Sequence, residues 1–327
     1  MSTALAYLNG RFIPFAEAGL SLSDAGFVSG ATVVDNARTF NHKLFRWPDH
    51  LARFRRDCRD CYIPLEASDD QITAVAEKLV AHNAKLLPPG GELQLVTFAT
   101  PGPLGFYVSE DSNGPPTLGM ATYSLPFARY RRFFTDGVTL AAAGVQTTDT
   151  GDLLPPRIKH RSRLAWHIAE RCLRDPAHPA YHPGPAVPVI FSPSGRGDTA
   201  IGGILLVMDG KVIRQAPGTV QDSISIIVVG ELCAEANISM ISMNLDLRCL
   251  CTPSEDEFRN SYAHRVTEVM LAGTGFCLAG VRAFTSGPVT RTYPWPGPVF
   301  QRLLAIWNER VGVKIETQMA ATPHQPD

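Results

Sequence analysis

The chain has 327 residues and a formal net charge of -1, from 30 Lys and Arg against 31 Asp and Glu. This balance excludes the broad basic face of a nucleic-acid binder, so the expected partner is a small molecule. The length favours two domains, no apolar run is long enough to span a bilayer, and an odd count of seven scattered cysteines fits reduced thiols better than a disulfide framework.

The N-terminus, MSTALAYLNGRF, has no basic segment followed by an apolar core, so a cytoplasmic protein is expected. Asn9-Gly10, the favoured type I′ pair, sits between apolar runs and predicts a hairpin. Strands follow at ATVVDNARTF and HKLFRW. PDHLARFRRDCRDCYI then reads as a helix opened by a proline and an aspartate, with Leu51, Phe54, Cys58 and Cys61 in one buried stripe. Cys58 and Cys61 lack a second pair at zinc spacing, so no metal site is expected there. SDDQITAVAEKLVAHNAKLL reads as a second helix with Ser68 and Asp69 as caps, and ELQLVTFAT and LGMATYSLPF return to strand.

The basic, aromatic stretch ARYRRFFTDG is placed at an interdomain connection. This divides the chain into a small N-terminal α/β domain over residues 1–125, a connection over 126–136 and a larger domain over 137–327. In the larger domain VTLAAAGVQTT, AVPVIFSPSGRGD and GGILLVMDGKVIRQ read as strands, the last turning at Asp209-Gly210. DSISIIVVGELCAEAN reads as a helix and ISMISMNLDL as a strand, and Cys249 and Cys251 alternate as strand residues do. Ser254 and Glu257 form a capping box before a short helix. VTEVMLAGT is a buried strand, and PGPVFQRLLAIWNERVG an amphipathic helix. Strands and helices do not alternate regularly, so the fold class is α+β rather than a doubly wound sheet.

Three features suit an anion. APGTVQDSIS sets a glycine and Thr219 just before a helix, where free N–H groups and the helix dipole favour phosphate. Gly273-Thr274 ends a strand with a small residue and a hydroxyl. Arg53 carries a guanidinium fork suited to phosphate oxygens, although an ion pair with Asp49 or Asp57 is the local alternative. In PPRIKHRSRLAWHIAE, Lys159 stands among Arg157, His160, Arg161 and Arg163, either as part of a solvated basic face or as an amine whose pKa is lowered by neighbouring cations.

The order of these segments resembles the class IV, or fold type IV, pyridoxal-phosphate enzymes: branched-chain and D-amino-acid aminotransferases, (R)-selective amine transaminases and aminodeoxychorismate lyases. The resemblance runs from about Tyr7 to Val281. It implies a two-domain fold, a small α/β domain and a larger pseudo-barrel domain, with pyridoxal 5′-phosphate as cofactor and a homodimeric assembly. RIKHRSRL resembles the Schiff-base segment, which makes Lys159 the catalytic lysine. HLAR resembles HxxR, GTVQDS resembles GITRDS and VTEVMLAGT resembles ADEVFLTGT, which assigns Arg53, Thr219, Val220 and Thr274 to the phosphate. Asp198 stands where the family carries a glutamate against the pyridine nitrogen, one methylene longer. ATVVDNAR matches GDGVFEGIR, placing Asp35 and Arg38 toward the substrate. Phe98 takes the place of an arginine that binds carboxylate in the D-amino-acid enzymes, leaving Arg129, Arg131 and Arg132 as replacement cations, Arg129 first. The implied reaction is amino transfer between an amino acid or amine and a 2-keto acid. The alternatives are a lyase that releases pyruvate from aminodeoxychorismate, favoured by KHRSRL, and a degenerate, non-catalytic binder of the cofactor.

Overall fold

A computed structural model describes residues 3–146, 154–252 and 254–320. The chain divides into two compact units, the first holding residues 3–126 and Ile158–Ser162, the second Phe127–Arg157 and Arg163 onward. The segment around Lys159 thus belongs with the first unit, although the chain on either side of it belongs to the second. Residues 127–135, expected within a connection, form a helix of the second unit.

The first unit is a six-stranded sheet. Its strands are β1 (Leu5–Leu8), β2 (Arg11–Pro14), β3 (Val33–Phe40), β4 (Lys43–Leu44), β5 (Leu93–Thr100) and β6 (Thr117–Ser124), in the order β2-β1-β6-β5-β3-β4. Asn9 and Gly10 both take positive φ, and Leu8 pairs with Arg11, so the predicted hairpin forms. Beside the sheet lie α1 (Ala25–Val28), α2 (Trp47–Asp60) and α3 (Asp69–Asn83). Ser68 caps α3 and exchanges bonds with Gln71, a complete capping box. Leu51, Phe54 and Cys58 of α2 are all buried in one cluster with Val33 and Ala37 of β3, with Cys61 packed at its margin, so the predicted stripe is the core contact.

The second unit has a nine-stranded sheet. Its elements are α4 (Phe127–Thr135), β7 (Val138–Gln146), α5 (Leu164–Arg174), β8 (Val187–Phe191), β9 (Gly197–Thr199), β10 (Gly203–Met208), β11 (Lys211–Gln215), α6 (Ile224–Glu235), β12 (Met240–Met243), α7 (Glu255–Asn260), β13 (Val266–Gly273), β14 (Cys277–Ser286), β15 (Val289–Thr292), α8 (Pro298–Val311) and α9 (Ile315–Ala320). The sheet runs β12-β11-β10-β13-β14-β7-β8-β9, with β15 on β14, and mixes parallel with antiparallel pairs. Asp209 and Gly210 make the second type I′ turn. Strand β14 is missing from the sequence reading; it is buried along nearly its whole length and so shows no polar alternation. Cys249 and Cys251 lie on a 3₁₀ turn over Leu247–Cys251 rather than on a strand, with Asp246 capping its first turn. No helix among the described residues is long and apolar enough to cross a membrane.

Candidate active site

Helix α2 and strand β3 carry candidate residues of the first unit. His50, Arg53 and Asp57 recur at helical spacing on the buried side of α2. Asp35 alternates with Val34 along β3 and so shares the face of Val33 and Ala37, toward α2. Its two oxygens are both engaged there, one by His50 Nδ1 at 2.6 Å and the other by Arg53 Nε at 2.8 Å. Burial pushes the Asp35 carboxyl up, but the charges and hydrogen bonds of Arg53 and His50 outweigh it and hold the group down at about 2. Asp35 was expected to face substrate; its carboxylate instead orients the arginine assigned to phosphate. Arg53 Nη2 also lies 3.5 Å from His50 Nδ1.

Lys159 is half-buried and held by its backbone. Its N–H donates to Asp57 Oδ2 at 3.0 Å, and its carbonyl accepts the N–H of Val34 at 3.0 Å. On either side, Arg161 N–H donates to the Thr32 carbonyl, His160 bridges Val33, and Ser162 Oγ donates to the Gly30 carbonyl. The segment thereby pairs with the start of β3 through an isolated antiparallel bridge. Burial pushes the Asp57 carboxyl above the ordinary carboxylate range, against the bonds from Lys159 and Arg56. The crowding bases do not all turn to the lysine: Arg163 donates to the Ala200 carbonyl within the second unit and lies over the Trp166 ring.

Arg38 and Phe98 lie on the opposite face of the sheet from Asp35, because Val34, Asn36 and Arg38 alternate with it and Phe98 pairs with Val34. The Phe98 ring covers Gly119, where an added Cβ would come within 2.2 Å of it. Arg38 is 1% exposed, stacks on the Phe40 ring at 3.9 Å and donates from Nε to the Thr39 carbonyl. Between them, Asn36 Oδ1 is buried with no hydrogen-bond partner. A buried acceptor of this kind marks a place where a ligand donor would be favourable.

In the second unit, Asp198 sits on β9 opposite Ile190, and its Oδ1 accepts the Thr199 N–H at 2.8 Å. Gln215, at the end of β11, was not singled out in the sequence, yet it fixes this strand: its side-chain amide both donates to and accepts from the backbone of Gly197, at 2.7 and 3.2 Å. Thr199 Oγ1 closes the turn that follows, bonding Gly202 and Ile201. The GTVQDS helix start differs from expectation, because α6 is capped by Ser223 and begins at Ile224. The N–H and hydroxyl of Thr219 both turn to the Ala216 carbonyl, with Gly218 at φ +78° making the bend. Thr274 lies in the turn joining β13 to β14, half-exposed. Arg129 lines a cavity whose lining includes neither Asp198, Thr219 nor Thr274. No cluster of metal ligands occurs among the described residues.

The family model for amino-transferase class IV matches residues 32–174. That match takes in β3, α2 and the Lys159 segment. Over that stretch the chain is similar to the class IV aminotransferases. Within the class IV match lie Asp35, Arg38, Arg53, Phe98, Arg129 and Lys159; Asp198, Thr219, Val220 and Thr274 lie beyond it. The chain is 34% identical over 77 residues to the D-alanine aminotransferase of Staphylococcus aureus, an alignment that covers 24% of this chain and 27% of that protein. The chain therefore spans about a quarter of the length of this curated relative. The fold is that of the branched-chain amino acid aminotransferase from Escherichia coli, at a TM-score of 0.71 and 16% identity, covering 94% of both chains. It is also that of the 4-amino-4-deoxychorismate lyase of Pseudomonas aeruginosa, at a TM-score of 0.68 and 21% identity, covering 93% of this chain and 98% of that one.

Proposed function

We propose that this protein is a pyridoxal-phosphate-dependent aminotransferase that moves an amino group between an amino acid or amine and a 2-keto acid, with Lys159 as its catalytic lysine. The observation that carries the proposal is the fixing of the Lys159 backbone by Asp57 and Val34, on the helix and strand that also hold Arg53 against Asp35. The residues present suit the cofactor: a half-buried amine, a buried guanidinium oriented by a carboxylate, an orphaned amide oxygen beside Phe98, and a carboxylate on the immobilised strand β9. Bound pyridoxal phosphate supplies the aldehyde that the amine attacks and an electron sink for the substrate carbon.

The chain's own residues do the rest. Asp57 and Val34 hold Lys159 in one backbone position, so that its Nζ serves as nucleophile and then carries the α-proton. Asp35 aims Arg53 for phosphate. Asp198 would hold the cofactor's ring nitrogen, and Gln215 keeps its strand in register. Val220 and Thr274 add donors to phosphate, whereas Thr219 directs both of its donors to the Ala216 carbonyl and shapes the bend beside them. Asn36 and Phe98 contact substrate, while Arg38, stacked on Phe40, adds positive charge to the same face of the sheet. A homodimer accompanies this reading, and light scattering on the purified protein tests it.

A panel of L- and D-amino acids and amines, each assayed for keto-acid release with a second keto acid as acceptor, tests the activity. Turnover with a subset of donors supports it. Pyruvate release from aminodeoxychorismate without amino transfer replaces it by the lyase reading, and a protein that retains no cofactor colour makes it a non-catalytic binder.

A further inference from the structure

The second unit contains a cavity of about 300 Å³, the lower end of the range for small-molecule sites. Helix α4 presents Arg129 and Arg132 to it one turn apart, Asp136 follows just past the end of that helix, α5 presents Glu170 and Arg174, and β14 presents Arg282. Four guanidiniums face two carboxylates there, an excess of two positive charges in a chain whose net charge is -1. Part of this charge is already committed, since Glu170 lies 3.7 Å from Arg174, and Arg282 Nε donates to Thr139 Oγ1 at 3.3 Å. Arg129 and Arg132, one helical turn apart, are the surplus. Gathering like charges in a concave site costs electrostatic energy unless an anion joins them, and planar guanidinium forks match carboxylates better than point charges do. The floor is apolar, with Leu173, Pro188 and Ile201, which suits a short carbon chain between acid groups.

We infer that this cavity of the second unit binds a small di- or tricarboxylate anion, held by Arg129 and Arg132. Arg129 then acts here rather than on the transferred amino acid.

Calorimetry tests the assignment, using the full chain with pyridoxal phosphate present throughout, so that any phosphate cradle is filled. Citrate, succinate and inorganic phosphate are titrated at matched ionic strength. The expected result is saturable binding of citrate or succinate, weakened about tenfold by Arg129→Ala and by Arg132→Ala. Arg59→Ala, which removes an exposed charge elsewhere, leaves it unchanged, and it persists in Lys159→Ala. Arg132→Lys weakens it less than Arg132→Ala does. No saturable carboxylate binding, binding indifferent to Arg129 and Arg132, loss in Lys159→Ala, or phosphate binding tighter than either carboxylate overturns the inference.

Discussion

The carboxylate of Asp57, with none of its side chain exposed, accepts the backbone N–H of Lys159 at 3.0 Å across 102 residues of sequence. Helix α2 thereby positions the proposed nucleophile one turn beyond Arg53. Asp57→Ala removes that acceptor and the carboxylate to which Arg56 donates. A loss of stability of about 1–3 kcal/mol is expected, with kcat lower by about a hundredfold as the lysine shifts. Asp57→Asn keeps an acceptor oxygen and should recover most of both. Urea unfolding and steady-state kinetics on the two variants measure this.

Acid stability should report Asp35. Its folded pKa of about 2 lies below the ordinary 3.8, so the stabilisation is complete above about pH 4 and is lost as pH falls toward 2. The shift corresponds to about 2 kcal/mol. In Asp35→Asn this part of the pH dependence disappears, and the protein is destabilised at pH 7 by about 3–5 kcal/mol because Arg53 stays buried without its counter-charge. Urea midpoints at pH 7, 4 and 3 distinguish the two effects.

Gln215 secures strand β9 from a distance. Gln215→Ala removes two buried hydrogen bonds to Gly197, each leaving a backbone group unsatisfied at about 1–3 kcal/mol. The cofactor affinity should fall with it, because Asp198 is the next residue. Equilibrium dialysis of pyridoxal phosphate against the variant checks the link; unchanged affinity would make Gln215 purely structural.

Gly119 keeps room for Phe98. In Gly119→Ala the added methyl would meet the ring at 2.2 Å, so Phe98 must turn away. KM for the amino donor should change more than kcat, since the ring is assigned to substrate rather than to the reacting atoms.

Much of the fold is legible locally. Asn9-Gly10 and Asp209-Gly210 demand positive φ at two successive residues, and the chain turns at both. The stripe through Leu51, Phe54 and Cys58 carries the helical period of α2 against β3. Strand β14 was not legible, because a strand buried on both faces loses the alternation that marks one. Helix α4 was hidden by its basic, aromatic composition, which reads as a linker. At the candidate site, motif order proposes Lys159 and Arg53, whereas the tertiary partners that hold them lie outside any motif. Asp57 reaches Lys159, and Gln215 reaches Gly197, only through tertiary contacts. The pairing of Asp35 with His50 and Arg53 was not legible either, because it depends on the phase of the strand against α2 and not on the motif.

The central claim is that Lys159 is the residue that joins the cofactor. Borohydride reduction of the protein with pyridoxal phosphate, followed by peptide mass spectrometry, tests it directly. The phosphopyridoxyl mass should fall on Lys159 alone and vanish in Lys159→Ala. Modification of Lys43, Lys78, Lys85, Lys211 or Lys314 in its place, or of no lysine, would contradict the account.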